Sequence, residues 1–245
     1  MSLPLCLSTI QRNLSLVIAV SFLMAGQTTA ARMSDPAVEA QFIEAGIFGT
    51  GLTPRMPEDS VCPGITVGFG SLYTYRGKIR EKRNGYIHTG TDWAMPKGTP
   101  VVAIADGRVS RRIEDLEHAL GNHIVIKHTN VSSEYGNLSG LAVDQGQKVK
   151  RGQVIGYVGE LGKRAVFVHL HLNVTGDRRI RVEAVKKNFK YRYDFLQFLS
   201  GDMTPIDPVK KHHRKVKVSY MDPSEKLHPP GAKVIWPFIC QKKYK

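Results

Sequence analysis

Between Gly64 and Val174 the apolar residues come in short runs cut by glycine and turn chemistry, a strand pattern without 3.6-residue periodicity. Thr99–Ala105 precedes Asp106-Gly107, His123–His128 follows Gly121-Asn122, and Gln153–Val158 follows Lys150-Arg151-Gly152. Over Phe167–Val174 the alternation puts Val168, Leu170, Leu172 and Val174 on one face of a strand. Phe167, His169, His171 and Asn173 fall on the other. The first set belongs to a core. These runs predict a mainly β protein built on an antiparallel sheet. Residues Arg178–Leu199, basic and then aromatic, predict one helix packed beside that sheet, and Pro36–Ala45 a short helix ahead of it.

The pattern changes at both ends. Leu14–Met24 is apolar but shorter than the ~20 residues that span a bilayer, and small residues follow through Ala31. Residues 1–30 are therefore expected to be a signal peptide cleaved near Ala30, which places the chain in the periplasm or cell envelope with no stable membrane span. Residues 31–63 form an extension, 64–200 the domain, and 201–245 a basic tail whose densest run is Lys210–Lys215. Cleavage leaves Cys62 and Cys240, and two cysteines in an oxidising compartment invite a disulfide. Closing so long a loop is worth roughly 5 kcal/mol on chain entropy. With 42% hydrophobic and 23% charged residues, the rest of the chain can bury one core. The net charge of +14 favours polyanions. For an exported chain these are anionic cell-envelope polymers rather than nucleic acid.

Two strings carry candidate chemistry: His88-Thr-Gly-Thr-Asp92 and His169-Leu-His171. Imidazoles and a carboxylate are the ligand types of a catalytic zinc site, so Zn2+ is the expected cofactor. His169 and His171 share a strand face, close enough to share one metal and its water. Gly90 and Pro96 disfavour a helix, and an extended segment sets positions 88 and 92 on one face. A lone strand histidine is more often a hydrogen-bonded structural residue. Two strings with compatible ligands reverse that weighting.

The sequence resembles the lysostaphin-type (LytM-domain) zinc metallopeptidases that cleave peptidoglycan cross-links. The likeness runs through His88–Ala94, Gly98–Val101, Ala105–Val109, Gly121–His128, Tyr135–Ser139, Val149–Gly156 and His169–His171, in family order over about residues 66–174. It implies that His88, Asp92 and His171 hold zinc, leaving a fourth position for water. His169 would be the general base, and wall peptides the substrate.

This chain departs from the pattern at Asn137, where the family carries a histidine. Asparagine donates hydrogen bonds but neither accepts a proton nor carries charge near neutral pH. The expected loss is roughly 10²–10⁴-fold if the missing group is an acid or base, and less if it is an oxyanion donor. His169 and Asn137 are thus the candidate catalytic pair. The loop Gly159–Val168 is also bulkier and more basic than the family's small-residue turn. His128 is read as structural, His123 as an alternative stand-in for the missing histidine, and His212 and His213 as solvated. The alternative function is a catalytically impaired domain that binds wall or regulates a partner wall hydrolase.

Overall fold

The computed structural model describes residues 50–71, 74, 76, 88–159, 162, 165, 167–176, 192–200 and 215–243. The expected signal peptide, the Pro36–Ala45 helix, the tail residues His212 and His213, and most of Arg178–Leu199 lie outside these residues. The strands are β1 Thr53–Arg55, β2 Ser60–Val61, β3 Thr91–Ala94, β4 Pro100–Val102, β5 Gly107–Ile113, β6 His123–Lys127, β7 Val131–Gly136 and β8 Leu138–Leu141. They continue with β9 Lys148–Val149, β10 Val154–Val158, β11 His169–Gly176, β12 Arg192–Tyr193, β13 Lys215–Lys217, β14 Tyr220–Met221, β15 Leu227–His228 and β16 Gln241–Lys242.

The protein is mainly β. Its main sheet runs β12-β11-β7-β6-β5-β9, with β3 also paired to β11, and every pairing in it is antiparallel. Strand β11 is the central element. On one side β7 pairs along Gly176 to His171; on the other, β3 pairs with residues 169–172 and β12 with 174–175. The alternation read from the sequence is realised, since Leu170, Leu172 and Val174 are buried in the core together with Ile124, Ile126 and Tyr135. A second sheet, β4-β10-β8, joins the same core through Val101, Ile155 and Leu138.

Strand β5 contains a bulge between Val109 and Arg111, where the Ser110 hydroxyl donates to the Val125 carbonyl at 3.1 Å. The extra residue restores phase: Arg108 pairs with Lys127 and Arg111 with Val125, so both arginines stand on one face.

In place of the expected helix, Arg192–Tyr193 is a strand, followed by a six-residue 3-10 helix at Phe195–Ser200. Pairing with β11 holds the chain extended through Tyr193, and the remainder is too short to propagate an α-helix. Asp194 caps it, accepting from the Leu196 N–H at 3.0 Å. Phe195 and Phe198 are both buried.

Residues 215–243, within the stretch expected as a tail, are ordered against the domain. Strand β13 pairs in parallel with β1, β16 pairs with β2, and Cys240 is joined to Cys62 with the Cα atoms 4.4 Å apart. Trp236 and Phe238 meet the fully buried Trp93 edge-on, at ring-centre distances of 5.3 and 6.1 Å. The C-terminal segment therefore backs the strand that carries Asp92. Among the described residues no helix is long and apolar enough to cross a membrane.

Candidate metal centre

Strand alternation on β3 sends Trp93 into the core and Asp92 to the opposite face. The β3–β11 register then sets Asp92 directly across from His171, and His171 Nδ1 lies 2.7 Å from Asp92 Oδ1. His88 enters from the segment before β3. Its backbone is held by Ser71 O at 3.0 Å and by Gly70 N–H at 2.8 Å, and its Nε2 reaches Asp92 Oδ1 at 3.1 Å and His171 Nδ1 at 3.2 Å. These three buried residues are the group among the described residues whose donor atoms could hold one ion.

Gly90 makes this convergence possible. A Cβ there would sit 2.7 Å from His171 Nε2, Asn173 Oδ1 and the Leu172 carbonyl, far inside contact distance. The sequence marked Gly90 only as a residue that disfavours helix.

The outward ring nitrogens determine which atoms face inward. His88 Nδ1–H donates to the Gly68 carbonyl at 3.1 Å, leaving the Nε2 lone pair for the cluster. His171 Nε2–H donates to Asn173 Oδ1 at 3.0 Å, leaving Nδ1. Asn173 is itself oriented, because its Nδ2 donates to Glu134 Oε2 at 2.8 Å, and that carboxylate also receives Arg192 at 3.2 Å. The result is a path from Arg192 through Glu134 and Asn173 to His171, of the kind that fixes tautomer and ring angle around a metal. Neither Glu134 nor Arg192 was a candidate from sequence, and Asn173 was placed on the histidine face without a role.

Two nitrogens and one carboxylate oxygen, each presenting a lone pair to a common point, suit zinc. Tetrahedral ligands ~2.1 Å from zinc lie roughly 3.4 Å apart, so the observed edges need only open slightly. Burial alone would raise the Asp92 carboxyl. The neighbouring His88 and His171 overcome it by charge and hydrogen bonding, holding Asp92 well below the ordinary carboxylate range. Burial likewise raises Glu134, and Arg192 with Asn173 brings it below its usual value.

His169 stands beside the cluster, its Nε2 3.8 Å from Asp92 Oδ1. Its Nδ1–H donates to the Phe167 carbonyl at 2.7 Å, and the ring stacks on Phe167 at 4.1 Å. The Nε2 lone pair is thereby turned toward the cluster, where Asn137 Nδ2 donates to it at 2.8 Å. Asn137 occupies the left-handed region with φ 62°, which asparagine adopts more readily than most residues, and its N–H bonds Leu120 O at 2.7 Å.

His123 opens β6, and His128 is the residue that follows its end at Lys127. His128 bonds Asp106 O and Ser133 Oγ, both at 2.8 Å, on the core side. His123 bonds Gly121 O at 2.7 Å and stacks on His118 at 4.4 Å. Neither belongs to the three-donor group.

One β-sheet face thus presents two imidazoles and a carboxylate to one point, with a third imidazole alongside. Residues 86–182 match the family model described as Peptidase family M23, and this segment is an M23 domain. The chain is 44% identical over 103 residues to the peptidoglycan DD-endopeptidase ShyA of Vibrio cholerae, covering 41% of this chain and 23% of that protein. It is 43% identical over 86 residues to the DD-carboxypeptidase/endopeptidase Mpg of Neisseria meningitidis, covering 35% and 19% respectively. The matches thus span about a quarter or less of these relatives' lengths. Among solved structures, the catalytic domain of lysostaphin from Staphylococcus simulans aligns with a TM-score of 0.45 at 27% identity, covering 56% of this chain and 92% of that one.

Proposed function

We propose that this chain is an exported, zinc-dependent endopeptidase that hydrolyses peptide cross-links of peptidoglycan in the periplasm or cell envelope. The observation that carries the proposal is the convergence of His88 Nε2, Asp92 Oδ1 and His171 Nδ1 beside the inward-facing Nε2 of His169. His88, Asp92 and His171 would hold the zinc, which when bound polarises the scissile carbonyl and acidifies water. His169 Nε2 takes the proton of the attacking water and returns it to the leaving amine as the C–N bond breaks. Its Nδ1–H bond to Phe167 O keeps the ring in that tautomer. The Asn137 amide, 2.8 Å from His169 Nε2, holds the base in place and is a donor for the developing oxyanion. The extent 64–200 is the proposed catalytic unit, preceded by a cleaved signal peptide.

One observation favours a second reading. The bond from Asn137 occupies the nitrogen that must act as base, and asparagine cannot share the resulting positive charge as histidine would. The impaired alternative is a domain that binds wall or regulates a partner wall hydrolase. Digestion of purified peptidoglycan, followed by mass analysis of new amine termini, separates the two. The endopeptidase reading expects products from wild type that vanish with His171→Ala. Products from Asn137→His alone would establish the impaired domain, and inactivity of both would overturn the hydrolase.

A further inference from the structure

The face of the main sheet that carries His171 continues away from the cluster into a row of cations. Register runs Lys148 opposite Arg108, Arg108 opposite Lys127, Lys127 opposite Ser132, Ser132 opposite Thr175, and Thr175 opposite Arg192. Because Thr175 lies four residues along β11 from His171, this row shares the face of the proposed metal ligands. The β5 bulge adds Arg111 to it, opposite Val125. Arg108, Arg111, Lys127 and Lys148 are exposed. Among the described residues Arg111, Lys127 and Lys148 have no carboxylate within salt-bridge reach, while Arg108 is anchored on the Gly146 carbonyl.

Lys148 and Lys127 stand directly opposite Arg108 on its two sides, and like charges so placed repel. Among the described residues, none of these four cationic side chains is buried. A repeating polyanion engages several tips at once. Strand rise and spacing set the row roughly 15–25 Å from the cluster, about the span of an extended peptide of five to seven residues. Glu134, the carboxylate between, is already paired with Arg192.

We infer that this cationic row binds the free carboxylates of peptidoglycan stem peptides, holding the polymer across the face while one cross-link lies at the cluster. The inference rests on the peptidoglycan reading above. It is tested by sedimenting the zinc-loaded chain at low temperature with insoluble peptidoglycan, either native or with its carboxylates amidated. The expected result is binding to native wall roughly tenfold tighter than to amidated wall, weakening with salt. A variant with Arg111→Gln, Lys127→Gln and Lys148→Gln, checked for an unchanged melting temperature, should bind native wall only as wild type binds the amidated form. Equal binding of wild type to both walls overturns the inference and leaves the peptidoglycan reading intact. Binding to neither wall, with capture by phosphatidylglycerol vesicles instead, overturns both.

Discussion

Replacing Asn173 with alanine isolates what the ring-orienting path contributes to metal binding. The change deletes the acceptor 3.0 Å from His171 Nε2 and the donor 2.8 Å from Glu134, while Glu134 keeps Arg192 at 3.2 Å. His171 then has a buried Nε2–H without a partner, and its proton can move to Nδ1, the atom aimed at the metal. Loss of such an outer partner costs about 10–100-fold in metal affinity, or roughly 1.4–2.7 kcal/mol. An unsatisfied buried donor, at about 1–3 kcal/mol, gives the same range independently. Zinc Kd measured by competition with a chromogenic chelator should rise by that factor, with the far-UV circular dichroism unchanged. Asn173→Asp retains an acceptor for Nε2–H and should bind zinc within about threefold of wild type, although it sets a second carboxylate beside Glu134 and lowers the melting temperature. A folded Asn173→Ala protein with unaltered zinc affinity would refute the reasoning.

Three further outcomes are expected. Gly90→Ala forces a methyl group into the His171–Asn173 bond and the Leu172 carbonyl, so metal analysis should find the purified variant largely without zinc. The buried Asp194 carboxyl is pushed up to about 6 by burial, against lowering bonds from Thr50 and Leu196. The folded state therefore retains a proton that the unfolded chain releases near its ordinary value of 3.8, and stability falls as pH rises from there to about 6. Denaturant titrations of Asp194→Asn, whose amide oxygen can still accept from the Leu196 N–H, should show this slope removed and a gain approaching roughly 3 kcal/mol at pH 7. Finally, the Cys62–Cys240 bond closes a loop with a sequence separation of 178, worth roughly 5 kcal/mol on chain entropy. Cys240→Ser should melt at least about 10 °C lower by calorimetry, and an unchanged melting temperature would remove the disulfide from the account of stability.

Much of the sheet was legible because its signals are local. The alternation in β11 and the runs at β6 and β10 announce themselves within a few residues, as do the two ligand-bearing strings. What orients those ligands was not legible. Asn173 meets Glu134 across 39 positions of sequence, and Glu134 meets Arg192 across 58, and pairing register brings them together rather than composition. The seat of the C-terminal region was not legible for a different reason. Its basic run before residue 215 left open whether the stretch folds onto the domain, and Val234, Ile235, Trp236 and Phe238 are among the most buried of the described residues. The helix expected over Arg178–Leu199 from its basic and then aromatic composition failed at its described end, where Arg192–Tyr193 pairs as a strand with Thr175 and Val174.

The meeting of β1 with β13 and of Cys62 with Cys240 also bears on how the protein would survive among proteases. If the backbone were cut between residues 200 and 215, the released fragment would contain Trp236, yet it could not diffuse away. The disulfide would keep it covalently attached, and the strand pairs at Thr53–Lys215 and Ser60–Lys242 would hold it in register. Such a nicked molecule should migrate as two pieces only after reduction, and until then keep the packing behind Asp92 intact.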